Sequence, residues 1–170
     1  FVDCSAEYRG APATVISGLS WLEGQTVRIL VDGATHPDRE VIGGSVTLDS
    51  PASVVQVGLP YKMTVNTQRL EAGVAANATP QAAKRRIIRT VFRVYRTGLF
   101  KYGPNINLLD EIDPRSTEDR MDYAPPLLTG DYAVTWPGGW DFDTSVVFIS
   151  DNALPATVMA IMPTVEGSEP

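Results

Sequence analysis

The sequence predicts an all-β protein, built as antiparallel sandwich or barrel modules with long loops and little helix. Three observations predict it. Short runs rich in Val, Ile, Thr, Tyr and Phe recur with period-two alternation. Between them stand 13 prolines and 14 glycines, placed as turn punctuation. About nine such runs follow one another at short spacing, the pattern of a sandwich or barrel. At 170 residues, 44% hydrophobic and 20% charged, the chain can bury a proper core without covalent staples. A division near residue 52 is expected. A small barrel-like module over 1–52 would precede an antiparallel sandwich over 53–170, and the two could share one core.

Residues 84–97, KRRIIRTVFRVYRT, anchor the reading. Read with period two, Ile88, Thr90, Phe92 and Val94 share one face, and Ile87, Arg89, Val91, Arg93 and Tyr95 the other. A strand sends the first face into a core and the arginines out of it. A helix is the rival, because Ile87, Ile88, Val91, Phe92 and Tyr95 also fit a 3.6-residue period. The β-branched and aromatic content favours the strand.

Taken in order, the opening arm 1–12 carries one short strand around 4–8, and 13–16 is an apolar run. SGLSWLEGQ then turns the chain, with Trp21 and Leu22 as a hydrophobic plug. Residues 25–31 alternate, with Val27, Ile29 and Val31 on one side, and Asp32-Gly33 signals a hairpin. The next run is broken by Pro37 and reads as a loop or a poor edge strand. A second hairpin is expected from 40–42, Gly43-Gly44 and 45–48, followed by short strands at 53–57 and 61–71. Residues 72–83 read as a surface loop, with one helical turn after Thr79-Pro80. Beyond the basic strand, 98–107 is a connection, and the acidic 108–126 an extended excursion. Strands return at 132–136, 144–150 and 155–162, and the polar tail 163–170 is expected to fray.

Composition excludes several functions. A net charge of −6 opposes a general nucleic-acid binder. One cysteine, Cys4, rules out an internal disulfide framework. No apolar run reaches the length of a membrane span. Phe1 in place of an initiator methionine points to a portion of a longer protein.

Candidate chemistry is sparse. His36 is the one histidine, read as a surface loop residue, so a His/Cys metal site lacks ligands and no G-x-S-x-G elbow accompanies it. Asp110, Glu111 and Asp113, or Asp141 and Asp143, could gather calcium, but neither set has the spacing of a known loop. Asn77-Ala78-Thr79 matches a glycosylation triplet. Tyr132, Trp136 and Trp140 around Pro137-Gly138-Gly139 could form a sugar platform, or simply cap the β core. The sharpest polar feature is the basic row Lys84, Arg85, Arg86, Arg89, Arg93 and Arg96. It could meet an acidic partner such as the 110–122 region of a neighbouring copy, touch passing DNA, or discourage edge pairing. Arg86, Arg89, Arg93 and Arg96 with Asp110, Glu111 and Asp113 are therefore the candidate subunit-interface residues. No catalytic residue, metal ligand or cofactor is assigned.

Several blocks in fixed order carry a resemblance: GLSWLEGQTVRILVDGATHPDREVIGGSVTL, VVQVGLPYKMTVNTQRLEAG, AAKRRIIRTVFRVYRTGLFKYG, PLLTGD, WPGGWDFD and NALPATVMAIMP. From about Gly18 to Pro163 the chain resembles bacteriophage and prophage tail structural proteins of the stabilisation or nozzle type, in their C-terminal portion. The resemblance implies a non-enzymatic virion part in the nozzle, hub or baseplate. It would be oligomeric around the tail axis, with other copies of itself and neighbouring tail proteins as partners. DNA in the tail channel would pass close by; no small-molecule substrate is implied. The alternative is a carbohydrate- or receptor-binding β module of a tail fibre, resting on the aromatic turn.

Overall fold

A computed structural model describes residues 2–71, 83–120 and 123–167. Among these, strands predominate over helix and every strand pairing is antiparallel. The strands are β1 (Val2–Ser17), β2 (Thr26–Val31), β3 (Ala34–Glu40), β4 (Ser45–Pro60), β5 (Met63–Asn66), β6 (Arg85–Thr97), β7 (Phe100–Asn105), β8 (Leu108–Ile112), β9 (Leu128–Thr135), β10 (Val147–Ser150) and β11 (Val158–Gly167). One short 3-10 turn, Ser20–Leu22, interrupts them. The glycosylation triplet at Asn77 and the turn after Thr79-Pro80 lie outside the described residues.

The chain forms two compact units: Phe1–Lys62 with Pro114–Pro126 and Asp151–Pro155, and Met63–Asp113 with Leu127–Ser150 and Ala156–Pro170. The cut expected at residue 52 falls inside β4. The runs 45–48 and 53–57 are one bent strand, because Pro51 sits where the β1–β4 ladder shifts register and costs no ladder bond.

The first unit holds a sheet in the order β1-β4-β2-β3. Val27 and Ile29 of β2 alternate inward against Val46, Leu48, Val55 and Val57 of β4. Leu22 plugs this core, as expected; Trp21 does not, being 54% exposed with its indole N–H donated to the Gly18 carbonyl at 3.2 Å. The Asp32-Gly33 hairpin is present, with φ of 46° and 87°, and Asp32 Oδ1 accepts the Val54 N–H at 2.8 Å. At Gly43-Gly44 both residues have positive φ. Their N–H groups donate to the two oxygens of Glu23 at 2.8 and 2.6 Å. Pro37 stands in β3, which is indeed an edge strand.

The second unit holds two sheets, β5-β10-β7-β8 and β11-β6-β9, whose inner faces feed one buried cluster. Phe92 is its hub, with the rings of Phe100, Tyr102 and Phe148 at 5.4, 5.5 and 6.3 Å. In β6, Thr90, Phe92 and Val94 point inward as the alternation predicts. Ile88 does not: it is 49% exposed and Ile87 is 2% exposed. The β11 ladder skips Ile88, pairing Thr164 with Arg89 and Val165 with Ile87, and this bulge turns the pattern over. A second irregularity at Tyr95 and Arg96 lets Thr97 enter the core.

Two strands were not expected. Residues 98–107 and the start of the acidic excursion are the hairpin β7–β8. Asn105 Oδ1 fixes its turn by accepting the Asn107 and Leu108 N–H groups at 2.9 and 3.0 Å. The expected strand 61–71 shortens to β5. Residues 163–167 of the expected fraying tail belong to β11, which pairs with β6 down to Arg85.

Candidate functional site

The start of β6 and the turn WPGGWDFDT, separate features in the sequence, meet in the second unit. After β9 the buried Trp136 packs on Tyr102, ring centroids 5.9 Å apart. Gly138 then passes so close that a Cβ there would stand 2.9 Å from Trp136 Nε1, so the turn needs glycine. The chain returns antiparallel to β6. Arg85 N–H donates to the Asp141 carbonyl and Asp141 N–H to the Arg85 carbonyl, both at 2.8 Å. On either side of this bridge a cation covers an aromatic ring. Lys84 Nζ lies 5.3 Å from the Phe142 centroid, and the Arg86 guanidinium 5.3 Å from that of Trp140. KRR and WDF thus interleave residue by residue.

Beside this ladder opens a cleft of about 570 Å³, lined among others by Asn66, Asn105, Trp136, Trp140, Asp141 and Asp143. Trp140 is 44% exposed and Trp136 only 7%. Asp141 Oδ1 accepts the Asp143 N–H at 3.1 Å, which fixes the two carboxylates in sequence along the turn. The Thr144 hydroxyl donates to the Arg85 and Asp141 carbonyls, holding the turn against β6.

The basic row divides into distinct environments. Arg85 is fully buried, and none of its three guanidinium nitrogens has a hydrogen-bond partner among the described residues. Arg86 pairs with Glu166 at 2.8 Å. Arg93 grips Asp131 with two bonds of 2.7 and 2.8 Å. Those bonds, with the charge attraction, hold the Asp131 carboxyl below its usual range and raise Arg93. Arg89 and Arg96 are exposed, and their guanidinium groups form no ion pair among the described residues. Arg96 has φ of 45°, and its backbone N–H donates to Thr129 Oγ1. Since β6 lies in the middle of its sheet, the arginines cannot serve to discourage edge pairing.

The acidic candidates lie elsewhere. Asp110 and Glu111 are exposed on β8, an edge strand, and Asp113 just beyond it is exposed too. No ion pair joins Asp110 or Glu111 to the β6 arginines among the described residues. Burial, and then the nearby Asp110 charge, push the Tyr102 phenol above its ordinary value.

The remaining candidates are structural. His36 is not a loop residue but sits in β3, its Nε2 accepting the Asp49 N–H at 3.1 Å and its Nδ1 facing the Pro37 carbonyl at 2.8 Å. Cys4 is exposed and unbridged. Among the described residues no group of three or more His, Cys, Asp or Glu is placed to hold a metal ion, and no helix is long and apolar enough to cross a membrane. The sequence treated Arg85 as one more surface cation. The register that buries it depends on the Ile88 bulge, which leaves no mark in the local pattern. No protein-family model matches the chain, and a search of the curated proteins gives no match.

Proposed function

We propose that the chain is a non-enzymatic structural part of a bacteriophage tail, in the nozzle, hub or baseplate, assembling with copies of itself around the tail axis. The ordered blocks that resemble tail structural proteins support this, as do the antiparallel β sheets of the described residues. One observation carries the assembly reading. Charges of opposite sign, unpaired with one another among the described residues, stand on exposed surfaces of the second unit: Arg89 and Arg96 on β6, Asp110 and Glu111 on the edge strand β8. Between copies they would set subunit register, and their attraction would speed encounter more than it tightens the complex. Arg86 and Arg93 already have partners in the chain and serve the interface less directly. Neighbouring tail proteins are the other partners, and DNA in the channel meets the arginines only in passing, given the net charge of −6. The reading gives the chain no cofactor, reaction or small-molecule substrate.

The test is charge reversal at Arg89 and Arg96 together, with oligomer mass read by light scattering. Loss of the oligomer with an unchanged circular dichroism spectrum is expected, and recovery when Asp110→Lys and Glu111→Lys are added. A monomeric parent chain, or a double mutant that assembles normally, defeats the proposal.

A further inference from the structure

The geometry points to a neutral-saccharide binding site in the cleft between the WPGGWDFDT turn, the β7–β8 hairpin and the end of β5. It goes beyond the assembly reading and does not depend on it. The cleft, about 570 Å³, falls within the roughly 300–1,000 Å³ of small-molecule sites. Its lining combines two indoles with carboxylates and amides. A pyranose offers the matching surface: an apolar C–H face ringed by hydroxyls, each both donor and acceptor.

Four features argue for this ligand class. First, Trp136 lines the cleft while only 7% exposed, and its indole N–H, which makes no hydrogen bond to a described residue, is free to donate into it. A hydroxyl seated in the cleft supplies the acceptor. Second, Asn105 spends its Oδ1 on the Asn107 and Leu108 amides, which leaves its NH₂ group to donate outward. Third, Asp141 and Asp143 present acceptors for hydroxyl pairs, and no Lys or Arg lines the cleft among the described residues. Acidic sugars would therefore be repelled. Fourth, the Arg86 guanidinium already covers the Trp140 ring at 5.3 Å. A second cation brought to that ring would meet the first, whereas a neutral C–H face would not.

The geometry also assigns roles. Trp140, 44% exposed, is the stacking plate. Trp136 forms the floor and contributes its N–H. Asp143 and Asn105 bind the hydroxyl rim. The Arg86 stack, itself tied to Glu166, holds Trp140 in place before any ligand arrives. The site binds and holds; it cleaves nothing.

The experiment uses the full chain against a panel of neutral hexose and N-acetylhexosamine di- to tetrasaccharides. A sialylated glycan and a lysine-rich peptide serve as charged comparators. Binding is read by tryptophan fluorescence and saturation-transfer NMR. We expect at least one neutral member to bind and both charged probes to fail. Trp140→Ala should weaken binding about tenfold or more, the loss of one stacked ring. Asp143→Asn should weaken it while leaving the unfolding midpoint unchanged. The Arg89→Glu, Arg96→Glu chain should bind normally, so failure of assembly and failure of sugar binding are read apart. Silence across the neutral panel, undiminished binding by Trp140→Ala, preference for a charged probe, or release of new reducing ends would each overturn the inference.

Discussion

Replacing Phe92 by alanine tests the packing of the second unit most directly. The side chain is fully buried and is ringed by Phe100, Tyr102 and Phe148 at 5.4–6.3 Å. Phe100 and Phe148 lie 4.8 Å apart and brace one another, so the walls of the new cavity cannot collapse far. Phe→Ala costs about 3–5 kcal/mol, and a rigid lining places this site near about 4 kcal/mol. That is a large part of the roughly 5–15 kcal/mol that holds a domain together. With a urea slope of about 1–3 kcal/mol/M, the midpoint should fall by more than about 1 M. Trp136 is the reporter, since Trp21 and Trp140 are half exposed and change little on unfolding. Ile88→Ala is the paired control. Lying on the bulge, it should stay within about 0.5 kcal/mol of the parent. If Ile88→Ala costs as much as Phe92→Ala, or Phe92→Ala moves the midpoint by less than about 0.3 M, the register assigned to β6 is wrong.

Four further outcomes follow from contacts described above. Arg85→Met should preserve or raise stability, by up to about 1–4 kcal/mol, because a buried guanidinium without partners gives way to an apolar chain of similar length; a fall in melting temperature would mean that the charge is compensated. Asp131 is held below its usual range, so its pair with Arg93 contributes fully above the ordinary carboxylate value of about 3.9 and is lost as pH falls through the lower folded value. Asp131→Asn should flatten that acid limb of a stability–pH curve. Tyr102 is raised, so its contribution is intact below about pH 10 and fades as pH climbs past it, and Tyr102→Phe should remove that alkaline loss. Glu23→Ala strips the acceptor from the Gly43 and Gly44 amides and should cost the first unit about 1 kcal/mol, read by hydrogen exchange at those amides.

Fold class was legible because alternation and turn chemistry agree along most of the chain. Asp32-Gly33 and Gly43-Gly44 announced their turns through glycine, and Val27 and Ile29 announced a core face. What was hidden has physical causes. The β7–β8 hairpin lacks a glycine turn; its Asn105 side chain does that work, and Asp110 and Glu111 disguise an edge strand as an excursion. Ile87 and Ile88 exchanged faces because a bulge adds one residue that periodicity cannot count. The cleft was half visible: the aromatic turn stood out as a sugar-platform candidate. Its packing against Lys84 and Arg86, with Asn66 and Asn105 alongside, is a long-range pairing that no local pattern encodes.

The first unit draws on three separate stretches, Phe1–Lys62, Pro114–Pro126 and Asp151–Pro155, and the Arg28 guanidinium donates to the Asp151 carbonyl. A ribosome that has delivered the chain only as far as Lys62 has therefore not delivered the whole unit. Its maturation must wait until Asp151–Pro155 has emerged, by which time most strands of the second unit are also out. Truncation at Lys62 would yield an incomplete fragment, and dissecting the two units calls for circular permutation or grafted linkers rather than a single cut.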